Sequence, residues 1–267
     1  MKHLVAIGAG NLTKSFMVGW TPYLEPLHMK LSVLARSEAY RERGWHKDLI
    51  APTLDPEVLT DACVVLLAVK PKDRARALQQ IHAYAPSHSL IVSVLAGIPI
   101  SSLKAALPGY AIVRAMPNVA VATGLGTTVV VESEDLGHPA WPWMRQALEQ
   151  LGRVVVIKEA LIDAATAISG SGPAYVYLLL QALIDASQAM GLPGPMAREL
   201  AVHTVRGAAE VAGSNPDVSL SELTAWVASK GGTTEAALDL LRRTQVGENL
   251  QQAILQARTK AAELADQ

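Results

Sequence analysis

Val5-Ala6-Ile7-Gly8-Ala9-Gly10-Asn11-Leu12-Thr13 decides how the first half of this chain is built. The apolar run from His3 to Ile7 is short and bounded by glycine, so it is predicted to be a strand. A helix is predicted from about Asn11. Gly8 permits a tight turn between the two, and Gly10 lets the backbone come close to an anion as large as a pyrophosphate. The helix start then offers unsatisfied N–H groups and the positive end of its dipole to that anion. The usual third position of this pattern holds glycine or alanine, whereas Thr13 stands here and crowds the helix against the strand. An ordinary strand–turn–helix without a ligand is the competing reading of the turn alone.

Outward from this turn, short apolar runs alternate with amphipathic stretches. Strands are predicted at Leu31 to Ala35, Ala62 to Val69, Ser89 to Leu95, Ala111 to Ala115, Thr127 to Val131 and Val154 to Ile157. Between them lie helical stretches such as Asp73 to Tyr84, Ser101 to Leu107 and Ala140 to Leu151. This alternation predicts a doubly wound, mainly parallel sheet of the Rossmann type. Past Lys158 the rhythm changes and no convincing strand remains. Ala160 to Met190, interrupted near Gly170 to Pro173, reads as helical, as do Pro195 to Gly213, Leu220 to Ala228, Thr234 to Thr244 and Glu248 to Ala265. Two domains follow, an α/β domain over 1–159 and an all-α domain over 160–267.

Composition fits this division. Half of the 267 residues are hydrophobic but only 4% are aromatic, which suits helices packed on parallel strands. The net charge of −1 gives no basic excess for a nucleic-acid surface. No uninterrupted apolar stretch reaches about 20 residues, so no membrane span is expected, and a cytoplasmic location follows by default. The single cysteine, Cys63, lies in an apolar run and reads as a small buried hydrophobe. The seven histidines are scattered, without a helical i, i+4 pair beside a carboxylate, so no metal site is expected. Trp141 and Trp143 flank Pro142 at a helix start and read as packing residues.

The end of the second predicted strand bears on the cofactor. A reader of an unmodified ribose places Asp or Glu there. This chain has Arg36-Ser37, a guanidinium and a hydroxyl that suit a 2′-phosphate. A solvated surface arginine is the alternative.

Four more segments complete a pattern: Ala68-Val69-Lys70-Pro71, Arg114-Ala115-Met116-Pro117-Asn118, Ser169-Gly170-Ser171-Gly172-Pro173-Ala174-Tyr175 and Ser229-Lys230-Gly231-Gly232-Thr233-Thr234. Together with Gly8-Ala9-Gly10-Asn11, in this order along nearly the whole chain, they resemble the pyrroline-5-carboxylate reductases, which catalyse the last step of proline synthesis. The resemblance implies NADPH, with NADH as the alternative, on the Rossmann domain. It implies a helical domain that interlocks in a dimer, with five dimers forming a decamer in some members. It implies reduction of the ring C=N of a small-molecule imine acid where the nicotinamide meets helical-domain residues. Three positions depart from the family: Thr13, Lys230 where proline is usual, and Val119-Ala120 where Thr-Pro is usual. The last removes a hydroxyl near the expected nicotinamide site.

The resemblance also assigns residues. Gly8, Ala9, Gly10, Asn11 and Leu12 would hold the pyrophosphate, and Arg36 and Ser37 the 2′-phosphate. Ala68, Val69, Lys70 and Pro71 would form a cofactor-side loop. Ala96, Gly97, Met116, Pro117 and Asn118 would line the nicotinamide and its ribose. Ser229, Gly231, Gly232 and Thr233 would bind the substrate carboxylate, mainly through N–H groups. Thr234 would be the catalytic group, its hydroxyl bonded to the ring nitrogen. A helix start with Gly-Gly making the turn is the competing reading of that loop. Three rivals stand beside this family: a reductase of a related cyclic imine acid, a β-hydroxyacid dehydrogenase and a non-catalytic cofactor-binding paralogue. The absence of lysine from Ala164 to Gln188 counts against the second, and the intact Gly231 to Thr234 loop counts against the third.

Overall fold

The computed structural model describes residues 2–43, 52–133 and 136–263. Contacts divide the chain into two compact units, one of 1–173 with 257–267, the other of 174–256.

The first unit is a seven-stranded sheet. Its strands are β1 (Lys2–Ile7), β2 (Met29–Leu34), β3 (Val64–Leu67), β4 (Leu90–Ser93), β5 (Ala111–Pro117), β6 (Gly126–Glu132) and β7 (Gly152–Val156). They lie in the order β2-β1-β3-β4-β5-β6-β7. Every pairing is parallel except β5 with β6. Helices α1 (Asn11–Trp20), α2 (Arg74–Tyr84), α3 (Ile100–Ala106) and α4 (Trp141–Glu149) connect them. The order reverses between β1 and β3, which makes their carboxyl ends the switch point of the fold. Strands β3 and β4 are four residues each, shorter than the apolar runs that predict them. The flanking residues leave the ladder yet keep single backbone bonds, Cys63 N–H to His3 and Ala68 N–H to Ile7.

Alternate residues of each strand feed two cores, one on each face. Leu4, Ala6, Leu66 and Val92 pack with Phe16, Met17, Trp20 and Met144 on one side. Val5, Ile7, Val65 and Ile91 pack with Ala77, Ile81 and Leu103 on the other. Burial on both faces is why β3 (VVLL) and β4 (LIVS) read as continuous rather than alternating apolar runs. Phe16 stacks on Trp20 at 4.7 Å, and Trp20 Nε1 donates to the Ala147 carbonyl at 2.7 Å, tying α1 to α4. Trp141 and Trp143 are buried, as packing residues should be, with Lys2 Nζ 5.6 Å from the Trp143 ring centroid. At the amino end of β1, His3 Nδ1 meets Asp61 at 2.6 Å and Nε2 meets Ser32 at 2.9 Å. Burial lowers the His3 pKa despite that carboxylate, which favours the neutral ring, and a neutral ring here donates from Nδ1 to Asp61 and accepts at Nε2 from Ser32.

The first unit runs past the boundary expected near residue 160. A short 3₁₀ turn (Glu159–Leu161), α5 (Ile162–Ala165) and a π-turn (Thr166–Gly170) pack on the sheet. Glu159 Oε1 accepts from buried Arg114 at 3.0 Å and from the Ile100 N–H at 2.9 Å, while Ile162 and Ala167 are buried. These contacts hold the start of the helical half against β5.

The second unit is all helix: α6 (Gly172–Ala189), α7 (Gly194–Ser214), α8 (Leu220–Val227), α9 (Thr233–Arg243) and α10 (Val246–Glu263), the first and last of which begin or end in the first unit. The predicted end of α10 at Ala265 lies outside the described residues. A capping box, with Ser219 and Glu222 exchanging bonds, sets the start of α8. Among the described residues of this unit only Ala197 and Ala201 are buried. Leu178 (73% exposed), Met190 (76%), Leu220 and Trp226 face outward. The run Glu159–Ala189 is long and apolar enough to cross a membrane by length and composition. Asp163, Gln181 and Asp185 interrupt it, so it contains no unbroken apolar stretch of that length.

Candidate functional site

The expected cofactor residues fall at the carboxyl ends of five parallel strands: Gly8 to Leu12 after β1, Arg36 and Ser37 after β2, Ala68 to Pro71 after β3, Ala96 and Gly97 after β4, and Met116 to Asn118 at the end of β5. Backbone bonds knit the first three loops. Gly8 N–H donates to the Leu34 carbonyl at 2.8 Å, and Ala68 N–H to the Ile7 carbonyl at 3.0 Å.

A cleft of about 170 Å³ opens there. Of the expected residues it brings together Gly8, Ala9, Gly10, Arg36, Ser37, Ala68, Val69 and Lys70. Gly8 has φ +109°, and a Cβ on it would stand 2.5 Å from the Ala68 carbonyl oxygen, so only glycine fits. Gly10 differs. It precedes α1 with extended backbone, and a Cβ there would meet no protein atom within 4 Å. The open space in front of Gly10 and the uncapped start of α1 form a cradle that fits a dinucleotide pyrophosphate. Asn11 is the exposed first residue of α1, and Leu12 packs against the core beneath it. Thr13 is fully buried, and its hydroxyl has no hydrogen-bond partner.

Arg36 opens toward the same cleft but is ion-paired, Nη1 to Asp73 Oδ1 at 2.5 Å. Tyr40, Lys72 and Arg76 also line the cleft and were missed by sequence reasoning. For Lys72 and Arg76 the signal is present in Lys70-Pro71-Lys72-Asp73-Arg74-Ala75-Arg76, which puts four cations in seven residues after β3.

The remaining expected cofactor residues do not line this cleft. Ala96 and Gly97 make a turn beyond β4, with Gly97 at φ +76°. Met116 packs beside Ile100, Val131 and Ile162, and its Cε would lie 3.0 Å from a Cβ on Gly170. Pro117 is the buried last residue of β5. The Asn118 side chain, expected to orient a ribose, is used internally. Its Oδ1 accepts from the N–H groups of Ala120 and Thr127, and its Nδ2 donates to the Ser169 carbonyl at 3.1 Å. Segment 114–118 therefore meets the start of segment 169–175, at Ser169, within the first unit.

The loop 229–234 belongs to the helical unit. Gly231 has φ +75° and Gly232 precedes α9, which no side chain caps. A Cβ on Gly232 would stand 2.6 Å from Ser229 Oγ. The N–H groups expected to face a carboxylate are partly taken: Gly231 donates to Glu235 Oε2 at 2.5 Å, and Gly232 donates to the Ser229 carbonyl at 3.0 Å. The donors left at the helix start are the N–H groups of Thr233, Thr234 and Glu235, which have no intrahelical acceptor by position. Thr233 is exposed and Thr234 half-buried.

Comparison with known proteins reaches the whole chain. Residues 159–264 match the family model described as pyrroline-5-carboxylate reductase dimerisation. The pyrroline-5-carboxylate reductase of Haemophilus influenzae is 31% identical, over 98% of this chain and 97% of its own. That of Pseudomonas aeruginosa is 34% identical, over 98% and 96%. The crystal structure of Plasmodium falciparum pyrroline carboxylate reductase with NADP bound superposes with a TM-score of 0.86 at 26% identity, covering 99% of this chain and 100% of that one. A pyrroline-5-carboxylate reductase from Coxiella burnetii gives 0.80 at 29% identity, covering 98% of each. Similarity of this extent, spanning both units, shows that the chain belongs to the pyrroline-5-carboxylate reductase family.

Proposed function

We propose that this protein reduces 1-pyrroline-5-carboxylate to L-proline with NADPH, the final step of proline biosynthesis. The observation that carries this reading is the cation-lined cleft at the switch point of the sheet, open in front of Gly10, in a chain that matches its relatives from end to end. When bound, the dinucleotide supplies the hydride.

The protein's own task is positioning and charge. The loops after β1 and β3 hold the pyrophosphate, and Arg36 and Ser37, with Lys72 and Arg76 alongside, take the 2′-phosphate. The N–H groups of Thr233 and Thr234 bind the substrate carboxylate at the dipole end of α9. The cyclic imine binds already protonated, so hydride addition to carbon leaves a neutral amine and no side chain need supply a proton. The Thr234 hydroxyl holds the ring nitrogen as it changes from iminium to amine. A bond that strengthens during that change lowers the barrier, whereas one equal in both states alters binding only.

The outward apolar side chains of the helical unit support a dimer, the decamer being a further assembly of dimers. Pairing would also cover the apolar run 159–189, consistent with a cytoplasmic enzyme that needs neither membrane nor nucleic acid. Loss of NADPH absorbance on adding pyrroline-5-carboxylate tests the activity. Catalytic efficiency should be higher with NADPH than with NADH, and Arg36→Asp should reverse the order, from roughly 1.5–3 kcal/mol of charge-assisted contact. No turnover with either cofactor would overturn the reading.

A further inference from the structure

Among the described residues lining the Rossmann cleft there is one carboxylate, Asp73, and it is turned to Arg36. Asp73 precedes the first residue of α2, where an aspartate ordinarily accepts from N–H groups of the first turn. It makes no such bond here, and the first turn of α2 contains no other acid. The carboxylate has exchanged a capping role for an ion pair. That pair is easily displaced, because the Arg36 side chain is 55% exposed and that of Asp73 24%. A 2′-phosphate carries more charge than a carboxylate and engages the guanidinium fork in two bonds. Two anions held against one arginine repel each other, so the phosphate can bind Arg36 well only when Asp73 lets go.

We propose that Asp73 is a specificity-determining residue, an internal competitor for the cofactor's 2′-phosphate. It occupies Arg36 while the cleft is empty and so trims the advantage of the phosphorylated cofactor over the unphosphorylated one. The proposal rests on reading this cleft as a 2′-phosphate site. Its opposite is that Asp73 props Arg36 in place for the phosphate, and the two predict effects of opposite sign.

The experiment is calorimetric titration of the full-length protein with 2′,5′-ADP (adenosine 2′,5′-bisphosphate) and with AMP, which differ only in the 2′-phosphate that Arg36 would meet. Asp73→Asn removes the charge while keeping the side chain's size and its ability to cap α2. It should tighten 2′,5′-ADP about tenfold, the scale of one removed like charge near a protein surface, and change AMP much less. Arg36→Gln should weaken 2′,5′-ADP alone. Unchanged or weaker binding of 2′,5′-ADP by Asp73→Asn, or equal tightening of both nucleotides, would overturn the role of Asp73 while leaving the cofactor reading intact. A wild-type protein that does not prefer 2′,5′-ADP over AMP, with Arg36→Gln without effect, would overturn the cofactor reading and the proposal with it.

Discussion

Strand β1 buries five of its six residues inside the first unit, whereas α6, with 18 residues and an apolar sequence, buries none. The sheet has helices on both faces, so most apolar side chains of its central strands find cover within the same chain. The helical unit has no sheet to close on. Leu178, Leu179, Leu200, Leu220 and Trp226 remain outward. Burial is the dominant favourable term in folding, so one unit holds its own stability and the other waits for a second copy to supply it.

Five substitutions press on that contrast. Trp20→Ala empties a fully buried site in the first unit and also removes the bond to Ala147. It should cost about 3–5 kcal/mol, independent of protein concentration, in chemical denaturation. A loss under 1 kcal/mol would mean that the first unit is less self-sufficient than its packing indicates. Leu178→Arg should act through association instead, leaving the Rossmann spectrum intact and shifting sedimentation to monomer at micromolar concentration. Its cost should be roughly 2–4 kcal/mol at the assembly step. A variant that stays dimeric would place the contact on another face.

Thr234→Ala should lower turnover by one to two powers of ten, about 1.4–3 kcal/mol, with NADPH affinity nearly unchanged. Thr233→Ala, on the same helix start, should be milder because alanine keeps the N–H. Equal damage from both in steady-state kinetics would undo the assignment of the Thr234 hydroxyl. The smallest effect has the opposite sign. Thr13→Val removes a buried hydroxyl that lacks a partner while keeping its shape, and should stabilise by about 1 kcal/mol in urea titration. Destabilisation would show that the hydroxyl has a partner in solution.

Much of the cofactor half was legible because its signals are local. Gly8, Gly10 and Arg36 are each read from a few neighbours, since a tight turn, a helix start and a strand end are all set within about ten residues. Lys72 and Arg76 were passed over because they lie inside a helix or at its edge, where cations usually mean solvent. The internal bonds of Asn118 were not legible for a different reason. Its side chain serves residues 120, 127 and 169, and nothing in the segment 114–118 indicates a partner fifty positions away. Gly231 and Gly232 read as open donors because a glycine pair before a helix advertises its backbone, while the acceptors Glu235 and Ser229 act only once the loop is closed.

By itself the amino-acid sequence determined the division into an α/β half and a helical half, the parallel sheet, the glycine turn after β1 and the family resemblance. Those follow from periodicities of two and 3.6, from glycine's backbone freedom and from short motifs, all of which act along the chain. Only the tertiary structure decided that 159–173 packs on the sheet, through Arg114 to Glu159 and Asn118 to Ser169. It also decided that Asp73 faces Arg36 and that the helical unit leaves its leucines uncovered. Each of these depends on which distant groups come within a few ångströms, a distance that the spacing of residues along a chain does not encode.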